Sequence, residues 1–319
     1  MIEIFLKNKG IVKVKSTKEI SNENLDFHVM QFIDYTSQEI SWVEEKFGTD
    51  LSIMKNFEDI EISSHLLVGK DQVAFHISLP YYNGEKTLVE APIFFVITSK
   101  GLFFFSNSEV DFFINKNYSG KVFQVQKLSE MSDFLKFHIE FISDYYADIT
   151  ESETKKVKAL SSTILLEKKF SNDVMDLITR LNFNNLLIKE SLIETTRVFN
   201  LYKKSSWEQK IDINDTIETE LSDLSVVSDY IQFNFERLDD LKENVSNKID
   251  LEQNYIFKML TVVTVCISLP TLIAGVYGMN FEHMPELKAS FGYPVVIVVM
   301  ILSAILPFIY FKKKNWLKR

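Results

Sequence analysis

Residues 258–281 read KMLTVVTVCISLPTLIAGVYGMNF. Between Tyr255 and Phe281 the only charged side chain is Lys258, so about twenty consecutive apolar or small residues suit the hydrocarbon core of a bilayer. The run ends abruptly on Gly278, Met279 and Asn280, and FEHMPEL follows with Met284, Pro285 and Glu286. A second uncharged run extends from Pro294 to Phe311. The chain therefore reads as two C-terminal membrane spans attached to a large portion that reads as soluble.

Orientation follows from charge. The tail KKKNWLKR places Lys312, Lys313, Lys314, Lys318 and Arg319 directly after the second run, whereas the segment between the runs offers Lys288 against Glu282 and Glu286. By the positive-inside rule the C-terminus is cytoplasmic. Two spans return the chain to one side, so the N-terminus is expected there too, and the expected location is the plasma (inner) membrane. The start, MIEIFLKNKG, has too short an apolar run for a signal peptide.

The chain has 319 residues, 46% of them hydrophobic, and a formal charge of −9, which argues against a nucleic-acid partner and for cations as company. The single cysteine, Cys266, lies in the first span, so no disulfide framework can form within one chain. The five histidines are scattered, and no glycine loop for phosphate is present, so neither enzymatic chemistry nor a cofactor is expected.

The N-terminal part shows strand-like runs at IEIFLKN, GIVKVKS, QVAFHISL, APIFFVITS and GLFFFSN. Phe103, Phe104 and Phe105 read as buried sheet. TSQEISWVEEKFG reads as a helix capped by Thr36 or Ser37, with Glu39 near its first turn and Gly48 as its stop. After Gly120 no glycine or proline occurs until Pro270, a stretch that predicts long helices. Breaks are expected at FSNDVMD, with Ser171 or Asn172 as cap, and near SSWEQKIDINDT, with Asp212 or Asp215 as cap. The last helix is expected to run unbroken into the first span, roughly 100 Å at 1.5 Å per residue. The fold class is α+β. The expected organisation is a cytoplasmic α/β domain at 1–125, a helical cytoplasmic domain and stalk at 126–254, and a first transmembrane helix at 255–279. An external loop at 280–293, a second transmembrane helix at 294–311 and a basic cytoplasmic tail at 312–319 complete it.

Counting back from Gly275 in alternating steps of four and three meets Thr271, Ser268, Thr264, Thr261, Phe257, Asn254, Asp250, Asn247, Glu243, Asp240 and Glu236. Almost every member is polar or small, with the 3.5-residue repeat of a left-handed bundle. Small and hydroxyl residues commonly let membrane helices approach one another, and hydroxyls can also bond their own helix carbonyls. The acidic continuation at Asp250, Glu243 and Asp240 suits a dry interface poorly and a wet, cation-attracting channel well. One chain supplies one such stripe, so a pore needs several copies around an axis. Phe257 reads either as helix packing or as a ring that closes the path by dewetting.

The motif YGMNFEHMPEL, with Pro270 and Thr271 before it and FGYP and FKKKNWL after it, closely resembles the CorA-type magnesium transport family, whose signature is a Gly-Met-Asn triplet followed by a Met-Pro-Glu-Leu loop. The likeness covers about the last 65 residues strongly and the rest by architecture. It implies a homopentameric funnel with an N-terminal α/β/α domain, a stalk helix continuous with the pore-lining first span, and an outer ring of second spans. Gly278, Met279 and Asn280 would form the external selectivity mouth, while Thr271, Gly275, Asn254 and Phe257 match pore-facing positions. Ser268 departs from the bulky apolar residue common there. His283, between the two motifs, carries the imidazole that suits nickel, cobalt or zinc, although a loop histidine is ordinarily just exposed.

A neutral amide ring also makes physical sense. Mg²⁺ gives up its waters reluctantly, so Asn280 can select it by bonding those waters, and a neutral acceptor releases it where a carboxylate ring would hold it. Glu282 and Glu286 can concentrate cations at the mouth. In the family, cytoplasmic Mg²⁺ bound between protomers favours closure, and Glu218, Glu220 and Asp223 are the candidates here. The expected function is therefore Mg²⁺ influx, with Co²⁺ or Ni²⁺ as secondary substrates. Two alternatives stay open: a zinc or other transition-metal transporter of the same superfamily, and a membrane-anchored helical signalling or structural protein.

Overall fold

The computed structural model describes residues 1–7, 10–21, 25–55, 65–108, 110, 130–166, 170–207, 209–280 and 284–317. Contacts divide the chain into two compact units, residues 1–166 with 176–239, and residues 167–175 with 240–319.

The first unit is built on a seven-stranded sheet: β1 (Ile2–Leu6), β2 (Ile11–Val14), β3 (Phe27–Ile33), β4 (Leu66–Val68), β5 (Gln72–Tyr82), β6 (Leu88–Thr98) and β7 (Leu102–Ser106). The order is β2-β1-β3-β7-β6-β5-β4, with β3 and β7 parallel and every other pair antiparallel. Five of these strands coincide with the strand-like runs read from the sequence. The other two, β3 and β4, had no pattern to mark them: β3 is buried on both faces, so its apolar residues do not alternate, and β4 is three residues long.

Successive residues of β7 feed opposite cores. Phe103 and Phe105 pack with Phe27, Phe32 and Val43 on one face, whereas Leu102 and Phe104 pack with Phe134 and Ile139 on the other. The three phenylalanines are thus buried sheet, as the sequence indicates. Helix α1 (Ser37–Phe47) covers the first face. Its start is a full capping box: the Thr36 hydroxyl accepts from the Glu39 amide while the Glu39 carboxylate accepts from the Thr36 amide. Its end is Gly48 at φ 68°, a left-handed conformation that a side chain would strain.

The other face carries the long helices α2 (Met131–Leu166), α3 (Asn172–Lys203) and the N-terminal part of α4 (Asn214–Tyr277). Buried polar groups fix their register. Glu153 of α2, fully buried, accepts from Lys156 at 2.7 Å, from Asn184 of α3 at 3.2 Å and from the Tyr82 hydroxyl of β5. Asn234 of α4 donates to Thr154 of α2 at 2.9 Å and to Asn185 of α3 at 3.1 Å. Such a network is stabilising only because each member is satisfied.

The caps fall partly as expected. Ser171 precedes α3, and its hydroxyl accepts from the Val174 amide. Neither Asp212 nor Asp215 caps α4, which begins at Asn214 directly after Ile213. Ile213 and Ile217 are buried with Trp207 and Ile211, so core packing rather than a polar cap sets where the chain turns. Asp215 instead lies in the first turn, where its charge suits the helix dipole.

In the second unit, α4 continues without a break through Pro270 to Tyr277, a short 3-10 helix spans Pro285–Lys288, and α5 covers Gly292–Lys313. Pro270 has no amide hydrogen to offer the carbonyl one turn back, yet the helix persists.

Candidate functional site

Helix α4 has two faces with different chemistry. One repeat of three and four residues, Ile231, Asn234, Leu238, Leu241 and Val245, is buried. The other repeat is the polar line: Asp240, Glu243, Asp250, Asn254, Phe257, Thr261, Thr264, Ser268, Thr271 and Gly275 are all exposed. The line predicted from spacing is therefore a continuous exposed surface of the helix among the described residues.

Every hydroxyl on this line turns back onto its own helix. Thr261 donates to the Phe257 carbonyl, Thr264 to Leu260 and Thr271 to Ile267, each at 2.8 Å, and Ser268 donates to Val265 at 3.3 Å. The hydroxyl protons are thereby occupied, and what each oxygen shows outward is acceptor lone pairs. A row of acceptors favours a cation or the hydrogens of its waters and offers an anion nothing. Val263, Ile267, Leu272 and Val276 flank the row and form with it a shallow open groove that reaches Met279.

At the upper end the helix stops through Gly278, whose amide bonds the Ala274 carbonyl at 2.9 Å, and Met279, whose amide bonds Val276 at 3.3 Å. Gly278, Met279 and Asn280 are exposed just past the last helical turn. A Cβ on Gly275 would meet open space, whereas one on Gly278 would lie 3.1 Å from the Ala274 oxygen. Glu286 is exposed in the 3-10 helix, while Glu282, His283, Lys318 and Arg319 lie outside the described residues.

The three acidic candidates of the first unit separate. Glu218 pairs with Lys203 at 2.6 Å, which holds its carboxyl below the usual range. Glu220 and Asp223 instead come together with Glu140 and Asp144 of α2. Burial first, and then the charges of Asp223, Glu140 and Asp144, push the Glu220 carboxyl up, against a hydrogen bond from Ser143. The α2 carboxylates were missed by sequence reading because a spacing along one helix cannot show what the facing helix presents. Asp144 and Asp223 line a groove of mixed polar and apolar character with Ser143, Thr150, Val226 and Tyr230.

A family model described as CorA-like Mg²⁺ transporter protein matches residues 28–313. The chain belongs to this family. With two helices, α4 and α5, long and apolar enough to cross a membrane, this CorA-like chain is a membrane protein. Among its relatives, a magnesium transport protein CorA of Wolinella succinogenes is 28% identical, the match covering 99% of this chain and all of the relative. The magnesium transport protein CorA of Salmonella typhimurium is 26% identical over 94% of this chain and 95% of its own length. The complete CorA magnesium transporter of Methanocaldococcus jannaschii shares the fold at a TM-score of 0.75 and 19% identity, covering 99% of this chain and 98% of that one. The full-length CmaX protein shares it at 0.69 and 13%, over 99% and 97% of the two chains. The α+β architecture expected from the sequence, with a long helix and two apolar C-terminal helices, is thus the CorA fold, and its sheet is mixed.

Proposed function

We propose that the chain assembles as a homopentamer and lets hydrated Mg²⁺ run down its electrochemical gradient into the cytoplasm through an axial path lined by the polar face of α4. The observation that carries this reading is that face itself, an unbroken exposed line from Asp240 to Gly275 whose hydroxyls present only acceptors outward. Five copies turned inward bury the line around water, and the acidic lower part draws cations to it. Asn280 closes the external end with a ring of amide oxygens that bind the waters of Mg²⁺ and release them, and the exposed Phe257 supplies the apolar constriction below. Both termini lie on the cytoplasmic side. The relatives named magnesium transport proteins support the ion. Glu220 and Asp223, gathered with Glu140 and Asp144, are the place for a regulatory cation that favours the closed state.

The test is ion-resolved flux in proteoliposomes with the membrane potential controlled. Mg²⁺ entry should rise with an inside-negative potential, and Asn280→Ala should lower it at least about tenfold, the loss of one good interaction at a selective site. Glu220→Gln should leave flux less inhibited by Mg²⁺ on the cytoplasmic side. Zinc flux without magnesium flux would favour the reading that His283 suggests. Absence of any ion flux, with Asn280 freely substitutable, would leave a membrane-anchored helical protein.

A further inference from the structure

A separate cluster lies in the sheet-bearing unit. Strand β4 pairs with β5 only over Leu66–Val68 against Val73–Phe75. Beyond Phe75 the outer edge of β5 has no strand beside it among the described residues, and α3 takes the place: the Ser191 hydroxyl donates to the Ser78 carbonyl. At this notch stand His65, which immediately precedes β4, His76 of β5 and Glu194 of α3. The register that sets Leu66 opposite Phe75 makes His65 and His76 the next pair, and their rings stack with centroids 4.8 Å apart at 26°.

The geometry is that of a ligand set. One donor atom from each of His65, His76 and Glu194 lies within 4.8 Å of the others. Donors around a tetrahedral zinc sit about 3.3 Å apart, so small side-chain rotations close the shell. Both imidazoles are almost completely buried, at 4% and 1% exposure, and Glu194 is half-buried. The Nδ1 of His65 has no hydrogen-bond partner among the described residues. A buried polar atom in that condition is costly unless something else satisfies it. Carboxylates gather here as well: Glu90 and Glu190 act electrostatically with Glu194, while the guanidinium of Arg197 acts on both Glu194 and His65.

We infer that His65, His76 and Glu194 form a site for one zinc-class divalent ion, Zn²⁺, Co²⁺ or Ni²⁺, that ties α3 to the edge of β5. Two imidazoles and one carboxylate suit these metals and leave a fourth position for water. The same set suits Mg²⁺ poorly, because that ion takes oxygen ligands and keeps most of its own waters. The site is thus chemically distinct from the proposed conduction path and does not depend on it. It gives the soluble unit a means to respond to transition metals while the axial path handles another ion. Arg197 faces the same carboxylate, and a bound metal competes with it.

The test uses the full-length protein in detergent, stripped of metal and titrated with Co²⁺, whose visible absorption reports nitrogen ligation in a four-coordinate site. One Co²⁺ per chain should give the bands, Zn²⁺ should displace it, and a large excess of Mg²⁺ should not. His65→Gln and Glu194→Gln should weaken binding about a hundredfold, at least what loss of a supporting group costs such sites. Asn280→Ala and His283→Ala should leave it intact. Zn²⁺ should raise the thermal midpoint of the wild type and not that of Glu194→Gln, since an ion that binds the folded state stabilises it by mass action. Metal-free Glu194→Gln melting with the wild type establishes that the variant is folded. The inference is overturned if the wild type gives no such bands, if both ligand variants keep them at unchanged affinity, or if Asn280→Ala or His283→Ala abolishes them.

Discussion

His138 shows what a single buried ring contributes. It sits on α2 between Phe95 and Phe104 of the sheet and Phe134 of its own helix, and its Nδ1 donates to the Phe134 carbonyl at 2.8 Å. Burial lowers its pKa to about 4, and the carbonyl bond opposes that shift only in part. In the unfolded chain the ring takes up a proton near its ordinary value of about 6.5. As pH falls from there to about 4, the unfolded state gains a proton that the folded state refuses, so stability present above pH 6.5 is lost across that window. At about 1.4 kcal/mol per pH unit, the loss amounts to roughly 3 kcal/mol. His138→Phe should remove this component: thermal midpoints of solubilised protein measured at pH 7 and pH 4.5 should fall further for the wild type than for the variant. Equal falls would mean that the ring titrates in the folded state. The sequence around His138 supplies only Phe134 and Phe137; the burial is completed by Phe95 of β6 and Phe104 of β7, which no local pattern signals. The hydroxyls of the first span were legible for the opposite reason, since a repeat along one helix needs no knowledge of other segments.

At the scale of elements, what could be read from sequence was what local chemistry determines. A cap at Thr36 or Ser37, of which the structure uses Thr36, the Gly48 stop and the presence of long helices in the breaker-free stretch follow from side chains close together in sequence. Strand β3 and the first residue of α4 did not, because both are set by packing against distant segments. Helix α4 offers a clean test of its polar face at Gly275. A side chain there meets open space within the chain, and replacing glycine in a helix interior gains up to about 1 kcal/mol. Gly275→Leu should therefore leave the thermal midpoint unchanged or raised. Because the same position is proposed to face the axis, five leucines would narrow the path, and Mg²⁺ flux should fall at least about tenfold, a barrier rise of about 1.4 kcal/mol. Flux equal to that of the wild type would mean that this face of α4 looks at lipid or at another helix.

In the proposed assembly the acidic lower line acquires meaning. In one chain Asp240, Glu243 and Asp250 are exposed carboxylates on a helix surface, a common sight with little consequence for stability. Around a symmetry axis the same residues become rings of like charge, which are tolerable only when water and cations lie between them. Sequence spacing exposed the line but could not supply the axis, since symmetry is a property of copies. Their effect on conduction should be electrostatic and therefore screened: the Debye length is about 30 Å at 0.01 M salt and about 10 Å at 0.1 M. Neutralising all three, as Asp240→Asn, Glu243→Gln and Asp250→Asn together, should lower Mg²⁺ flux severalfold in low-salt proteoliposomes, with the deficit shrinking as monovalent salt is raised toward 0.3 M, where the length falls to roughly 6 Å. Direct coordination would behave differently, because a lost ligand is not restored by salt and its deficit would persist at every ionic strength. A salt-independent deficit would thus move these carboxylates from attracting the ion to gripping it, and no deficit at low salt would remove the axial line from the path altogether.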